Sequence, residues 1–166
     1  MMKKYLFLLI TISILAGSSL LTAQNRVCVL PFQNKDGKIE LNIWCYNLQD
    51  SVYKALKAAD PEGKLFQLIP ADSIEALLTE MNLDPTNPQY PSDMWKAVKM
   101  LNCQKVITGN FNIQAGKFLI NAYVYNSRTK LAYPKHQARD IFKSPEEVYE
   151  SIGIITESLL PHFRGE

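Results

Sequence analysis

The run Arg26-Val27-Cys28-Val29-Leu30-Pro31-Phe32-Gln33-Asn34 constrains this chain more than any other stretch. Val27 to Leu30 is apolar without alternation, which suits a strand buried on both faces. Pro31 has no N–H to give to a ladder, so it belongs near the end of that strand. The polar loop Gln33-Asn34-Lys35-Asp36-Gly37-Lys38 comes next, and helical periodicity begins soon after it. A central strand feeding a loop and then a helix opens an α/β domain.

The rest of the pattern extends that beginning. Leu41 to Asp60 reads as a helix, with Leu41, Trp44, Cys45, Leu48, Val52 and Leu56 on one stripe. Leu65 to Ile69 reads as a second strand. Asp72 and Glu75 have the spacing of a capping box, and Ile74, Leu77, Leu78 and Met81 form the apolar face of that helix. After a proline-rich connector, Ser92 or Asp93 caps a third helix with Trp95, Val98 and Leu101 inward. Val106 to Ile113 and Phe118 to Tyr125 form a hairpin around Ala115-Gly116. Leu131 to Phe142 follows as an edge strand, blunted by Pro134 and its charges. Ser144-Pro145-Glu146-Glu147 starts a last helix that Pro161 ends.

The order β-α-β-α-α-β-β-β-α predicts an α/β fold of three layers. A mixed five-stranded sheet in the order 2-1-3-4-5 carries helices on both faces. Strands 2-1-3 are expected to be parallel and the remainder antiparallel.

Met1 to Ala23 has the three parts of a secretory leader: Lys3 and Lys4, an apolar stretch from Leu6 to Leu15, and small residues before Gln24. Residues 24–166 are then one α/β domain, periplasmic or secreted, with no stable membrane insertion once the leader is cleaved. Removing Lys3 and Lys4 leaves sixteen Lys and Arg against sixteen Asp and Glu. Such a balance argues against a nucleic-acid partner, which a basic surplus would favour.

Val27 to Asn34 resembles the "VAVLPFEN" opening of the TolB amino-terminal-like domain. Leu101 to Phe111 resembles that group's "LGVDYVLTGSV" strand, and Gly116 and the Asn126–Lys130 turn fall where it has its hairpin glycine and a turn. A related fold occurs in the curli-secretion lipoproteins and in lipoprotein activators of penicillin-binding proteins. The resemblance implies this α/β fold and an envelope interaction role without enzymatic activity. Two departures stand out: no lipobox cysteine is present, and Lys130 replaces the turn glycine.

No phosphate-binding, nucleophile-elbow or zinc-protease motif is present, and no CxxC or Cys/His cluster. No catalytic residue, metal ligand or cofactor is therefore assigned. His136 and His162 read as solvated side chains. Cys28 and Cys103, near the starts of strands placed side by side, are expected to approach each other, with Cys45 apart. A disulfide between them depends on geometry. Tyr123 and Tyr125 share one sheet face, on which a helix is expected to pack.

Ligands of open α/β sheets bind beyond the carboxyl ends of strands where the winding reverses. The candidate binding residues there are Gln33, Asn34, Lys35, Asp36 and Lys38 on the loop, with Asn110 nearby. The edge strand is a second surface for a partner. The expected function is a non-enzymatic envelope module that binds a protein or a cell-wall component. The other class is a small secreted hydrolase with an unrecognised active site.

Overall fold

The computed structural model describes residues 25–165, so the leader and its cleavage point lie outside the described residues. The six strands are β1 (Arg26–Val29), β2 (Gln33–Asn34), β3 (Gln67–Leu68), β4 (Lys105–Gln114), β5 (Lys117–Asn126) and β6 (Ala138–Lys143). The α-helices are α1 (Ile43–Ala59), α2 (Ala71–Glu80), α3 (Tyr90–Met100) and α4 (Ser151–Arg164). Short 3-10 turns at Ile39–Leu41 and Pro145–Glu150 lead into α1 and α4.

The sheet runs β3-β1-β4-β5-β6, with β2 also pairing with β4. This is the expected 2-1-3-4-5 order with one short strand added. β3, β1 and β2 run parallel to their neighbours, and β4-β5-β6 is an antiparallel meander.

Two apolar layers flank it. On one face Cys45, Leu48, Val52 and Leu56 of α1 and Ile155 and Leu159 of α4 pack on Val27, Val29, Ile107, Phe111, Ile120 and Val124. On the other face Ile74 and Leu78 of α2 and Tyr90, Met94 and Val98 of α3 pack on Cys28, Leu30 and Val106. Period-2 alternation along β1 and β4 sends their apolar side chains to both faces, which is why those strands read as continuous apolar runs. Cys28 lies in the second layer with Cys103, its thiol donating to the Lys105 carbonyl at 3.8 Å, and Cys45 lies in the first. The neighbouring Cys103 thiol, with burial after it, raises the Cys28 thiol well above its ordinary value. All three thiols are free.

Element boundaries differ from the pattern at four places. α2 starts at Ala71, because the Pro70 carbonyl already accepts the N–H groups of Ser73 and Ile74. Asp72 therefore lies within the first turn and makes no cap. α3 starts at Tyr90, where Asn87 turns the chain by accepting the Gln89 N–H at 2.9 Å. The last strand is only Ala138–Lys143. Pro134 and the left-handed His136 (φ 57°) break the extended chain before it, and Ala132 keeps a lone bridge to Tyr125. α4 continues through Pro161 to Arg164. Its last turn is held by packing: Phe163 lies 4.8 Å from the Phe66 ring and His162 lies 4.2 Å from that of Tyr133.

The helices on the second face cover the parallel half and reach Tyr125, but extend no further across the hairpin. On that face the register places Asn112 opposite Leu119, Asn110 opposite Asn121 and Thr108 opposite Tyr123, with Phe142 beside Leu119. Phe142 is 51% exposed, and Asn110, Asn112, Leu119, Asn121 and Tyr123 are half-buried. The expected helix over the two tyrosines is present for Tyr125, whose ring Trp95 meets edge-on at 5.9 Å, while Tyr123 extends onto the open face.

Candidate functional site

At the carboxyl end of β1, where the candidate crevice is expected, the chain continues along β4. After Pro31 the backbone stays beside β4, with Gln33 paired to Asn110 and Asn34 to Phe111. Pro31, which cannot donate, accepts the Thr108 hydroxyl at 2.8 Å through its carbonyl. Two more residues of parallel pairing extend the sheet beside β4 there.

The loop is built by its own polar groups. Buried Asn34 donates from Nδ2 to the Lys38 carbonyl and to Asn42 Oδ1, both at 2.9 Å, and its Oδ1 accepts the Asp36 N–H at 3.0 Å. Asp36 Oδ2 accepts the Ile113 N–H at 2.7 Å, which ties the loop to the end of β4. Lys35 Nζ contacts Gln33 Oε1. Asn34 and Asp36 thus position the loop, and Lys35 and Lys38 are exposed. Asn110 is brought beside Gln33 by pairing, and its Oδ1 accepts from Asn121 Nδ2 at 3.3 Å.

The cavity at this end of the sheet lies on the other side of β1, between α1 and α2, with a volume of about 580 Å³. Gln49 anchors its α1 wall by donating to the Val29 carbonyl at 2.8 Å. Asp50, Asp72, Glu75 and Asp84 line it together with Tyr46 and Leu78, and no Lys or Arg does. Burial, and then the Asp84 carboxylate, raise the Tyr46 phenol, so it remains a neutral hydrogen-bond donor. Ile39, Ile43 and Tyr46 are exposed by 82%, 59% and 44%. Spaced four and three residues apart, they lead from the loop along α1 into the cavity.

No family model and no curated protein sequence matches this chain. Its fold is similar to that of the lipoprotein GNA1162 from Neisseria meningitidis, at 13% identity and a TM-score of 0.51, over 86% of this chain and 98% of that one. The LpoB C-terminal domain from Salmonella enterica matches at 16% identity and a TM-score of 0.44, over 72% of this chain and 84% of its own. TolB from Acinetobacter baumannii matches at 14% identity and a TM-score of 0.42, over 86% of this chain and 30% of its own. These are distant likenesses of fold and do not single out one family, and fold alone carries no activity.

Among the described residues no group of three or more His, Cys, Asp and Glu could hold a metal ion, and no helix is long and apolar enough to cross a membrane. His162 departs from the expectation of a solvated side chain. It is half-buried against Tyr133, not solvated, and its Nε2 lies 2.8 Å from Lys105 Nζ. Burial first, then the Lys105 charge, lower its pKa from 6.5 to about 4. Folding therefore favours neutral His162. That contribution is present above pH 6.5 and is lost as the pH falls through the window from 6.5 to about 4. Discounted for solvent screening at a half-exposed group, it is worth on the order of 1 kcal/mol. Denaturant melts at pH 7.5 and 4.5 should show His162→Gln losing less stability between the two than the unmodified protein. Equal losses would place the pH dependence elsewhere.

Sequence reasoning missed the α1–α2 cavity because its acids are spread over Asp50, Asp72, Glu75 and Asp84 with no recognisable spacing. The signal that was present is Ile39-x-x-x-Ile43-x-x-Tyr46, an apolar line from the 3-10 turn onto a helix whose core stripe already has its own residues.

Proposed function

We propose that this chain is an exported, non-enzymatic interaction module of the cell envelope, periplasmic or secreted. Its partner is a protein, bound at the carboxyl end of the parallel strands. The observation that carries this reading is the exposed line Ile39, Ile43 and Tyr46 running into a cavity whose charged side chains are all acidic. Large exposed apolar groups at a concave acidic surface suit a segment that presents apolar and cationic side chains. The leader-like residues 1–23 support export. The loop residues Gln33, Asn34, Lys35, Asp36 and Lys38 border this surface, with Asn34 and Asp36 holding it in shape and Lys35 and Lys38 available for contact.

The test uses capture from envelope extract with two variants. Ile39→Ser with Ile43→Ser removes the apolar line from exposed positions. Asp72→Asn with Glu75→Gln removes two carboxylates. The first should abolish retention of the partner, and the second should weaken it, as should raising the salt past the range where surface charges are screened. Retention of every partner by both variants would exclude this surface.

A further inference from the structure

At the other end of the sheet a second cleft, of about 540 Å³, lies between α3 and the Ser127–Lys130 turn. We propose that this cleft and the open sheet face beside it bind an acidic glycan, a saccharide chain bearing carboxylate or phosphate groups. The site is separate from the protein-docking surface and does not depend on it.

Charge decides the ligand's sign. Lys96, Lys99, Arg128 and Lys130 line the cleft, and no carboxylate does. Lys96 pairs with Asp93 at 3.0 Å, whereas Lys99, Arg128 and Lys130 make no ion pair among the described residues. Four cations around one concavity, one of them compensated, give a local positive field in a chain of balanced mature charge.

The cations are also placed in advance. Asn126 Oδ1 accepts the N–H groups of Arg128 at 2.9 Å and Thr129 at 3.0 Å, and the Asn126 carbonyl accepts that of Lys130 at 2.8 Å. Lys130 closes the turn in the left-handed region at φ 60°. A turn ordered before binding loses less freedom when a ligand arrives.

A row of rings points to a saccharide over other anions. Trp95 lines the cleft and meets Tyr125 at 5.9 Å, and Tyr125 meets Tyr123 at 6.0 Å, so half-buried aromatics run from the cleft onto the open face. Aromatic faces carry negative charge density that attracts the polarised C–H groups of a sugar ring. Beyond Tyr123 lie Asn121 and Asn110, whose amides offer donors and acceptors to hydroxyls. Asn110 Nδ2 remains available, since its Oδ1 alone is engaged with Asn121. Exposed Met100 and Leu131 flank Lys99 and Lys130, so anionic vesicles are the competing probe in the test.

Affinity electrophoresis of the purified protein tests this with four probes: polygalacturonate, neutral dextran, polyglutamate and phosphatidylglycerol vesicles. Polygalacturonate should be bound in preference to the other three. Lys99→Gln, Arg128→Gln and Lys130→Asn together should weaken it at least about tenfold, as expected for losing three exposed cations that face one polyanion. Asparagine is chosen at position 130 because it tolerates the left-handed backbone. The pair Lys99→Glu and Arg128→Glu leaves the left-handed Lys130 untouched and should show the same loss. Tyr123→Ala should weaken polygalacturonate with the cations intact. Binding by both charge variants within about twofold of the unmodified protein overturns the site. Polyglutamate or vesicles bound as tightly as polygalacturonate overturns the saccharide.

Discussion

Gly109→Ala should cost this protein at least about 3 kcal/mol, the upper part of the range for overpacking, and leave little folded material at physiological temperature. Gly109 sits on β4 between Ile107 and Phe111, on the face that packs against α1 and α4. A methyl group added there would lie 1.9 Å from the Asn121 carbonyl oxygen and 2.6 Å from the Phe32 ring. Neither neighbour can retreat. Asn121 belongs to the paired strand β5, and Phe32 is wholly buried, with its N–H held by the Cys45 carbonyl at 3.0 Å. The glycine is therefore the recess that accepts Phe32 as the chain leaves β1. Gly153→Ala is the control: nothing lies within 4 Å of its added methyl, and α4 should tolerate or gain from the change. Circular dichroism and denaturant melts of the two variants decide. A Gly109→Ala protein within about 1 kcal/mol of the unmodified one would mean that β4 and β5 can separate at this point, against the rigidity expected of a packed core.

That recess explains why the opening motif was informative. Val27 to Phe32 and the strand around Gly109 are complementary halves of one contact, so reading either as part of an α/β core predicts the other. The same holds for the strand order, because a buried parallel strand with an amphipathic helix after it leaves few topologies open. What was not legible was local and depended on contacts distant in sequence. Pro161 stays inside α4 because Phe163 and His162 dock on Phe66 and Tyr133. Leu131 to Gln137 leaves the ladder although its composition resembles a strand, since backbone geometry at His136 is not visible in a hydrophobic pattern.

The candidate residues were chosen by their place on the sheet, and their side-chain roles were not legible. The end of the sheet was chosen on the switch-point argument, and the α1–α2 cavity does lie at that end. Gln33–Asn34 pairs with β4 as an added strand, and a two-residue strand carries no periodicity to detect. Of the six residues selected, Asn34 and Asp36 turn inward to the loop and β4, and a polar residue's direction follows from partners that only the fold supplies. The open face of the hairpin was hidden for a related reason. Its tyrosines suit a covered sheet as well as an uncovered one, and α3 reaches Tyr125 but stops short of Tyr123.

Leu48→Ala should destabilise the protein by about 2–5 kcal/mol, the usual cost of truncating a fully buried leucine. Leu48 is 0% exposed and belongs to the layer that joins α1 and α4 to the sheet. Around it Cys45, Val52 and Leu56 are also fully buried, while Trp44 remains half-buried at the margin, edge-on to Phe118 at 5.2 Å. Two effects add: the lost transfer of the isobutyl group out of water, and the void left among neighbours held by both the sheet and α4. Collapse into that void is limited because α1 is anchored within its first half and at its carboxyl end. Gln49 holds the Val29 carbonyl, and Asp60 accepts the Lys64, Leu65 and Phe66 N–H groups at 2.8, 2.7 and 3.1 Å. The cost should accordingly fall in the upper half of the range. Ile43→Ala, on the exposed side of the same helix, should change stability by less than about 0.5 kcal/mol. Equilibrium melts of the two variants, compared at equal slope, separate the buried stripe from the exposed stripe of α1. A loss at Leu48 no larger than that at Ile43 would mean that α1 turns a different face to the sheet.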